Sequence, residues 1–254
     1  MLTRAQIQRL AQRHSIGVQT QERDYIQHLL LFLLYSKSQS LVFKGGTALR
    51  IVYKGNRYSE DLDFNGPANI ASIKELWLGV LQGLHDFGVN AEIRYEWQSD
   101  VGYSFDVSYQ GPLYDGRDRT KGKVRVDIST RQEKVDTQRE LVTSEYDDIR
   151  PFVLTVISLE HLLAEKVRAL FMRSKPRDVY DIWLLTSQGV RMDRELVRKK
   201  LALYDVVLSV ANLENALERA KADWTRDLRP LLPQRLTWKD AITRVAPQLS
   251  ELVS

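Results

Sequence analysis

The segment Ser59-Glu60-Asp61-Leu62-Asp63-Phe64 sets two carboxylates one residue apart in an otherwise apolar run. On a strand, side chains alternate between faces, so Asp61 and Asp63 project to one side while Leu62 and Phe64 point to the core. Two carboxylates held side by side repel each other unless a cation lies between them. The pattern therefore predicts a divalent-cation site; it also fits a polar strand end on an exposed edge. A second run, Val124-Arg125-Val126-Asp127-Ile128, puts Arg125 and Asp127 on the face opposite three apolar residues. Laid beside the first strand, it makes Asp127 a third ligand, the one on the side of the base. Asp106, on the neighbouring strand, is a rival for that position and reads equally as a solvated carboxylate. The chain has no cysteine and four histidines (His14, His28, His85, His161), none spaced as a pair. A metal here must have oxygen ligands, which suits Mg²⁺ or Mn²⁺.

Upstream, Leu41-Val42-Phe43-Lys44 reads as a strand, Gly45-Gly46 as a turn, and Thr47 to Tyr53 as a short helix closed by Gly55. Glycines let the backbone approach an anion, free N–H groups at a helix start point towards it, and the Thr47 hydroxyl adds a hydrogen bond. The combination predicts a phosphate loop; the alternative is a plain turn with Thr47 as helix cap. The loop is neither a P-loop nor a dinucleotide fingerprint. A phosphate loop beside a carboxylate-held metal ion points to a nucleoside triphosphate.

A third cluster lies further on. Glu165-Lys166-Val167-Arg168 is followed by Arg173 and by Pro176-Arg177-Asp178-Val179-Tyr180-Asp181. Asp178 and Asp181 share one helix face, and Lys166 and Arg173, two turns apart, share another. The charges alternate with apolar residues, so some must be buried and paired: Lys166 or Arg177 with Asp178 or Asp181. Such a pair either aims a lysine at the triphosphate or staples two helices together, and the two roles are compatible.

The elements that must position these residues follow from periodicity. Thr20–Tyr35 carries Tyr25, Leu29, Phe32 and Leu33 at helical spacing without Gly or Pro. Strands are predicted at 41–44, 62–64, 92–95, 103–109 and 123–130, the last two as a hairpin, with helices at 48–53 and 70–87. After Pro151 the chain is predicted to turn helical, with Ser158 capping one helix and Pro176 opening another that ends at Gly189. The domain expectation is residues 1–40 as helices packing on the core, 41–150 as the catalytic core and 151–254 as a helical domain. The fold class is α+β, a mixed sheet flanked by helices and followed by a C-terminal helical bundle. The 254 residues, 43% hydrophobic and 28% charged, describe an ordinary globular chain, and the +4 net charge mildly favours a polyanionic partner. Basic clusters at 117–119, 194–200 and 226–235 read individually as solvated faces and together as an RNA-binding surface. No leader and no membrane-length apolar run is present, so the expectation is a cytoplasmic protein with no membrane partner.

Three segments in this order resemble the AbiEii family of nucleotidyltransferase toxins, which includes the MenT-type toxins within the polymerase-β-like nucleotidyltransferase superfamily. They are Lys44-Gly45-Gly46-Thr47-Ala48-Leu49, Arg57 to Phe64, and Glu165-Lys166 through Asp181. The resemblance spans about Leu41 to Leu185, with the termini matching only in helical character. It implies a polymerase-β-like nucleotidyltransferase sheet in which Gly46 and Thr47, with Gly45 completing the loop, bind phosphate. It implies that Asp61 and Asp63 bind Mg²⁺, Lys166 contacts the triphosphate and Asp178 supports catalysis. The third carboxylate varies between members, which leaves Asp127 and Asp106 both open. The resemblance further implies a toxin that transfers a nucleotide from an NTP to an RNA acceptor, the tRNA 3′ end, and so stops translation. Its partner would be a separate, cognate antitoxin protein. Transfer to a protein or small-molecule hydroxyl, and a non-catalytic NTP-binding regulator, are the alternatives.

Overall fold

The computed structural model describes residues 1–253, which divide into a unit running from Met1 to Ile157 and a second from Ser158 onward. The first unit holds a seven-stranded sheet, ordered β3-β4-β5-β2-β1-β7-β6. Its strands are β1 (Val42–Lys44), β2 (Asp61–Asn65), β3 (Asn90–Ser99), β4 (Gly102–Gln110), β5 (Gly122–Ser129), β6 (Thr137–Val142) and β7 (Phe152–Ile157). Pairing is mixed: β1 with β7 and β2 with β5 are parallel, and the rest are antiparallel. Helices α1 (Arg4–Arg13), α2 (Val18–Lys37), α3 (Gly45–Ile51) and α4 (Ile70–Asp86) complete this unit.

Alternation in β2 and β5 decides which face is covered. Leu62, Phe64, Val126 and Ile128 are buried with Phe43 and Phe105 in one apolar cluster beneath α2 and α4. Trp77 of α4 sits edge-on to Phe64 and Phe105, with centroids at 6.1 and 5.1 Å. That leaves the opposite face of the same strands for the carboxylates.

Helix α2 is buried almost all round, and several of its polar residues bond to neighbouring segments. Gln21 donates to the Tyr146 hydroxyl at 2.7 Å, and that hydroxyl donates to Asp24 Oδ2 at 2.7 Å. Tyr25 donates to Asp148 Oδ2 at 2.6 Å, and Gln27 donates to the Ser59 carbonyl at 3.2 Å. Through these bonds α2 holds both the 144–149 loop and the segment that leads into β2.

Two expectations are corrected. Gly45 and Gly46 are not a turn ahead of a helix but its first residues, with Lys44 as the capping position. The chain does not turn helical directly after Pro151: Phe152–Ile157 is a sheet strand, and Thr137–Val142, also unforeseen, pairs with it antiparallel. Hence the division falls at Ile157/Ser158 rather than after residue 150, and residues 1–40 belong to the same unit as the sheet. β6 is polar because it is an edge strand, where charged side chains discourage pairing with other chains.

The second unit consists of α5 (Leu159–Arg173), α6 (Pro176–Ser187), α7 (Arg194–Ala202), α8 (Val210–Ala222), α9 (Trp224–Leu228) and α10 (Trp238–Val253). Helix α5 packs on α6, α7 and α8, while α6 also packs on α9 and α10. Ser158 caps α5 as expected, accepting the His161 N–H, and Pro176 opens α6. Among the described residues no helix is long and apolar enough to cross a membrane.

Because Tyr146 Oη links two buried groups of α2, Tyr146→Phe removes both bonds, taking the acceptor from Gln21 Nε2 and the hydroxyl donor from Asp24 Oδ2. A loss of about 1–3 kcal/mol in unfolding free energy is expected from denaturant melts; an unchanged midpoint would show that the linkage contributes nothing.

Candidate active site

The exposed face of the sheet carries two rows of polar residues in register. One row runs Asp61–Arg125–Asp106–Arg94 across β2, β5, β4 and β3. The next runs Lys44–Asp63–Asp127–Ser104 across β1, β2, β5 and β4. Parallel pairing sets Asp63 and Asp127 directly opposite each other on adjacent strands, about 4.8 Å apart in the backbone. Asp61 joins them from the same face of β2.

Asp127 and Asp106 are distinguished by their surroundings. Asp106 is buried and faces two cations, Arg125 Nη1 at 3.2 Å and Lys123 Nζ at 3.5 Å. Asp127 is more open and shares only the far edge of Arg125, with Nε at 3.4 Å. Of the two, Asp127 is the carboxylate adjacent to the Asp61/Asp63 strand. Arg125, given no role by sequence reasoning, bridges Asp106 and Asp127 and offsets their mutual repulsion.

The glycine loop closes on the same carboxylates. Gly45 has φ of +78°, a conformation that L side chains rarely adopt, and a Cβ there would collide with the Asp63 carboxylate. Asp63 thus lies directly against the Gly45 backbone. At Gly46 a Cβ would strike the Arg57 guanidinium and come within 2.8 Å of Ser59 Oγ. Arg57 is buried, and its Nη1 donates to the Tyr58 carbonyl at 3.0 Å. Its position against the loop was not foreseen; the available signal was a cation four residues before Asp61.

Thr47 does something other than expected. It is fully buried, and its hydroxyl donates to the Asp61 main-chain oxygen, tying α3 to the start of β2. Tyr58, in the intervening segment, is buried under the Arg50 guanidinium, 4.1 Å from its ring centroid. Burial pushes its phenol up to about 12, with Arg50 opposing the shift, so Tyr58 stays protonated as a packing residue.

In the second unit the expected pairing of buried charges is present. Lys166 Nζ lies 2.7 Å from Asp181 Oδ2, with side chains only 7% and 1% exposed. Asp178, fully buried, is held in a two-pronged contact by Arg173 at 2.8 and 2.9 Å, so Arg173 rather than Arg177 is its partner. A further pair, Lys200 with Glu165 at 3.1 Å, ties α7 to α5.

Whether the acids suit a metal ion is a matter of donor chemistry. Among the described residues no three of His, Cys, Asp and Glu are gathered into a closed site. Asp61 and Asp63 supply two hard oxygen donors on one face, beside a backbone that admits close approach. This suits Mg²⁺, which takes one or two carboxylates and completes its octahedron with substrate phosphates and water.

Over 99% of its length, and 90% of the other chain, the protein is similar to MenT4, a nucleotidyltransferase toxin from Mycobacterium tuberculosis H37Rv, with TM-score 0.68 and 20% identity. It is also similar to JHP933 from Helicobacter pylori, with TM-score 0.65, 18% identity and 93% of each chain covered. At such identities the likeness concerns the fold. No curated protein sequence matches the chain. The sequence profile described as nucleotidyl transferase AbiEii toxin, type IV toxin–antitoxin system, matches residues 30–244. The chain belongs to this family and is a nucleotidyltransferase.

Two outcomes are expected. Gly45→Ala displaces the Asp63 carboxylate and should lower transfer by about a hundredfold, the scale of a misplacement near 1 Å; wild-type turnover in a steady-state assay would contradict the contact. Lys166→Ala removes the cation 2.7 Å from buried Asp181 and should cost up to about 3–5 kcal/mol in a denaturant melt, whereas Lys166→Met with Asp181→Leu should recover most of it. Equal loss in the single and double variants would show that the pair is not what matters there.

Proposed function

We propose that this protein is a toxin that transfers a nucleoside monophosphate from an NTP to an RNA acceptor, the tRNA 3′ end, and so blocks translation. Its activity would be held in check by a cognate antitoxin protein, in the cytoplasm where NTPs and tRNA are found. The observation that carries the reading is the placement of Asp61, Asp63 and Asp127 on one sheet face, with Asp63 lying against Gly45.

In this reading Asp61 and Asp63 hold Mg²⁺ (or Mn²⁺), and Gly45 and Gly46 leave their backbone open to the triphosphate. When bound, the ion neutralises charge on the triphosphate and on the departing pyrophosphate. The acceptor hydroxyl oxygen attacks the α-phosphorus, the bond to the bridging oxygen breaks, and pyrophosphate leaves. Asp127, more open than Asp106, takes the hydroxyl proton or orients the hydroxyl for its loss. Thr47 contributes by fixing Asp61 through its main chain; Arg57 supplies positive charge against the loop. For Lys166 and Asp178 the family resemblance implies a contact to the triphosphate and support for catalysis; within the second unit each lies in a buried ion pair, with Asp181 and with Arg173.

The test uses α-labelled NTPs, total tRNA and the purified protein, with and without chelator. Label on tRNA that needs a divalent ion is expected, with Asp63→Asn reducing it about a thousandfold, the several kcal/mol that charge neutralisation supplies. Label on protein or on an aminoglycoside instead would redirect the acceptor assignment. No label on any acceptor would mean an NTP-binding regulator.

A further inference from the structure

A cavity of about 440 Å³ opens in the first unit between α1, α2 and the 109–123 segment. Five cationic side chains line it, Arg4, Arg23, Arg119, Lys121 and Lys123, against two carboxylates, Glu22 and Asp115. Its outer wall is built rather than loose. Leu113 is pinned at both main-chain groups: its N–H donates to Glu22 Oε1 at 2.6 Å, and its carbonyl accepts from Arg4 Nη2 at 2.6 Å. Further along, Asp115 is paired with Arg117 and accepts from the Thr120 hydroxyl at 2.8 Å. A Cβ on Gly111 would come within 2.8 Å of Glu22 Oε1, so this glycine is what lets the wall approach α2.

The cleft meets the carboxylate face at Lys123, which lines it. Lys123, Arg125 and Asp127 alternate along β5 and so project to the same side. Asp106 bridges the first two, 3.5 Å from Lys123 and 3.2 Å from Arg125. From Lys123 to Asp127 is four residues of strand, about 13 Å. On the other flank Arg23 pairs with Glu60 at 2.8 Å, the residue immediately before Asp61.

We propose that this cleft binds the phosphodiester backbone of the RNA acceptor and leads its end along β5 to the carboxylates. The inference rests on the RNA-acceptor reading above and adds the surface that reading lacks. Arg119 and the 72%-exposed Lys123 face solvent, as backbone-contacting cations must. A chain of phosphates fits better than a single anion, because the cations span the cavity instead of converging on one point. Recognition of this kind is independent of sequence, strongly salt-dependent, and separate from NTP binding.

The experiment compares wild type with Arg119→Ala/Lys121→Ala, and with Lys134→Ala/Arg139→Ala, exposed residues before and on β6, as a control of equal charge. Binding of fluorescent total tRNA is measured across a salt series, alongside binding of a non-hydrolysable NTP with Mg²⁺ and α-label transfer to tRNA. The cleft variant should bind tRNA about tenfold more weakly at low salt, with the slope of log K against log salt reduced by about 0.7 per charge removed. Its NTP affinity and melting temperature should match wild type, and the control should bind tRNA normally. Equal tRNA binding by the cleft variant, or equal weakening in the control, overturns the cleft while leaving labelled tRNA as support for the function. Absence of tRNA labelling by wild type overturns both. Displacement of tRNA by poly-glutamate at equal charge concentration would reassign the cleft to an acidic protein segment.

Discussion

The arrangement depends on the close approach of the Asp63 carboxylate to the backbone of Gly45. It joins the two features that matter, an acid on a central strand and a chain bend that only glycine can adopt at that point. β1 and β2 are antiparallel neighbours, with Lys44 opposite Asp63, so the loop leaving β1 is bound to pass over the acids of β2. Thr47 closes the arrangement by bonding to the main chain of Asp61. Carboxylates placed so near one another are unfavourable in an empty, uncompensated site. The cost is offset in part by Arg125 and Lys44 within the same rows, and by a rigid support in α2 that holds the approach to β2.

Much of this was legible in the sequence, for identifiable reasons. Asp61 and Asp63 could be read because period-two alternation is unambiguous when Leu62 and Phe64 occupy the other face. The β4–β5 hairpin could be read for the same reason. Asp127 needed one more fact, the neighbour of β5, which only the register supplies: β5 lies beside β2 in parallel, a long-range pairing that no local pattern announces. Ser158, Pro176 and Gly189 were readable as helix punctuation because each meets a local backbone requirement.

What was hidden has equally physical causes. Phe152–Ile157 lies between a proline and a helix cap, and its six residues are too few to show a period against the helical signals that follow. Thr137–Val142 is an edge strand whose polarity protects it from other chains and also conceals it. The Thr47 hydroxyl looked free to meet phosphate because its acceptor, the carbonyl of Asp61, lies fourteen residues away along the chain. Arg173 outcompeted Arg177 for Asp178 because it approaches from α5, across a left-handed Ser174 that turns the chain between the helices. Spacing along one helix could not reveal a partner on the next.

The parallel pairing of β2 with β5 also orders events in time. The two halves of the acidic cluster are made far apart during synthesis, with all of α4 and the β3–β4 hairpin between them. A nascent chain stopped inside α4 has β1 beside β2 but nothing on the β5 side of Asp61 and Asp63, and it still lacks β7, the other neighbour of β1. Only after Ile157 has emerged can the central strands acquire both flanks. The acidic face is therefore a late product of translation, unable to exist while most of its own sheet is still unmade.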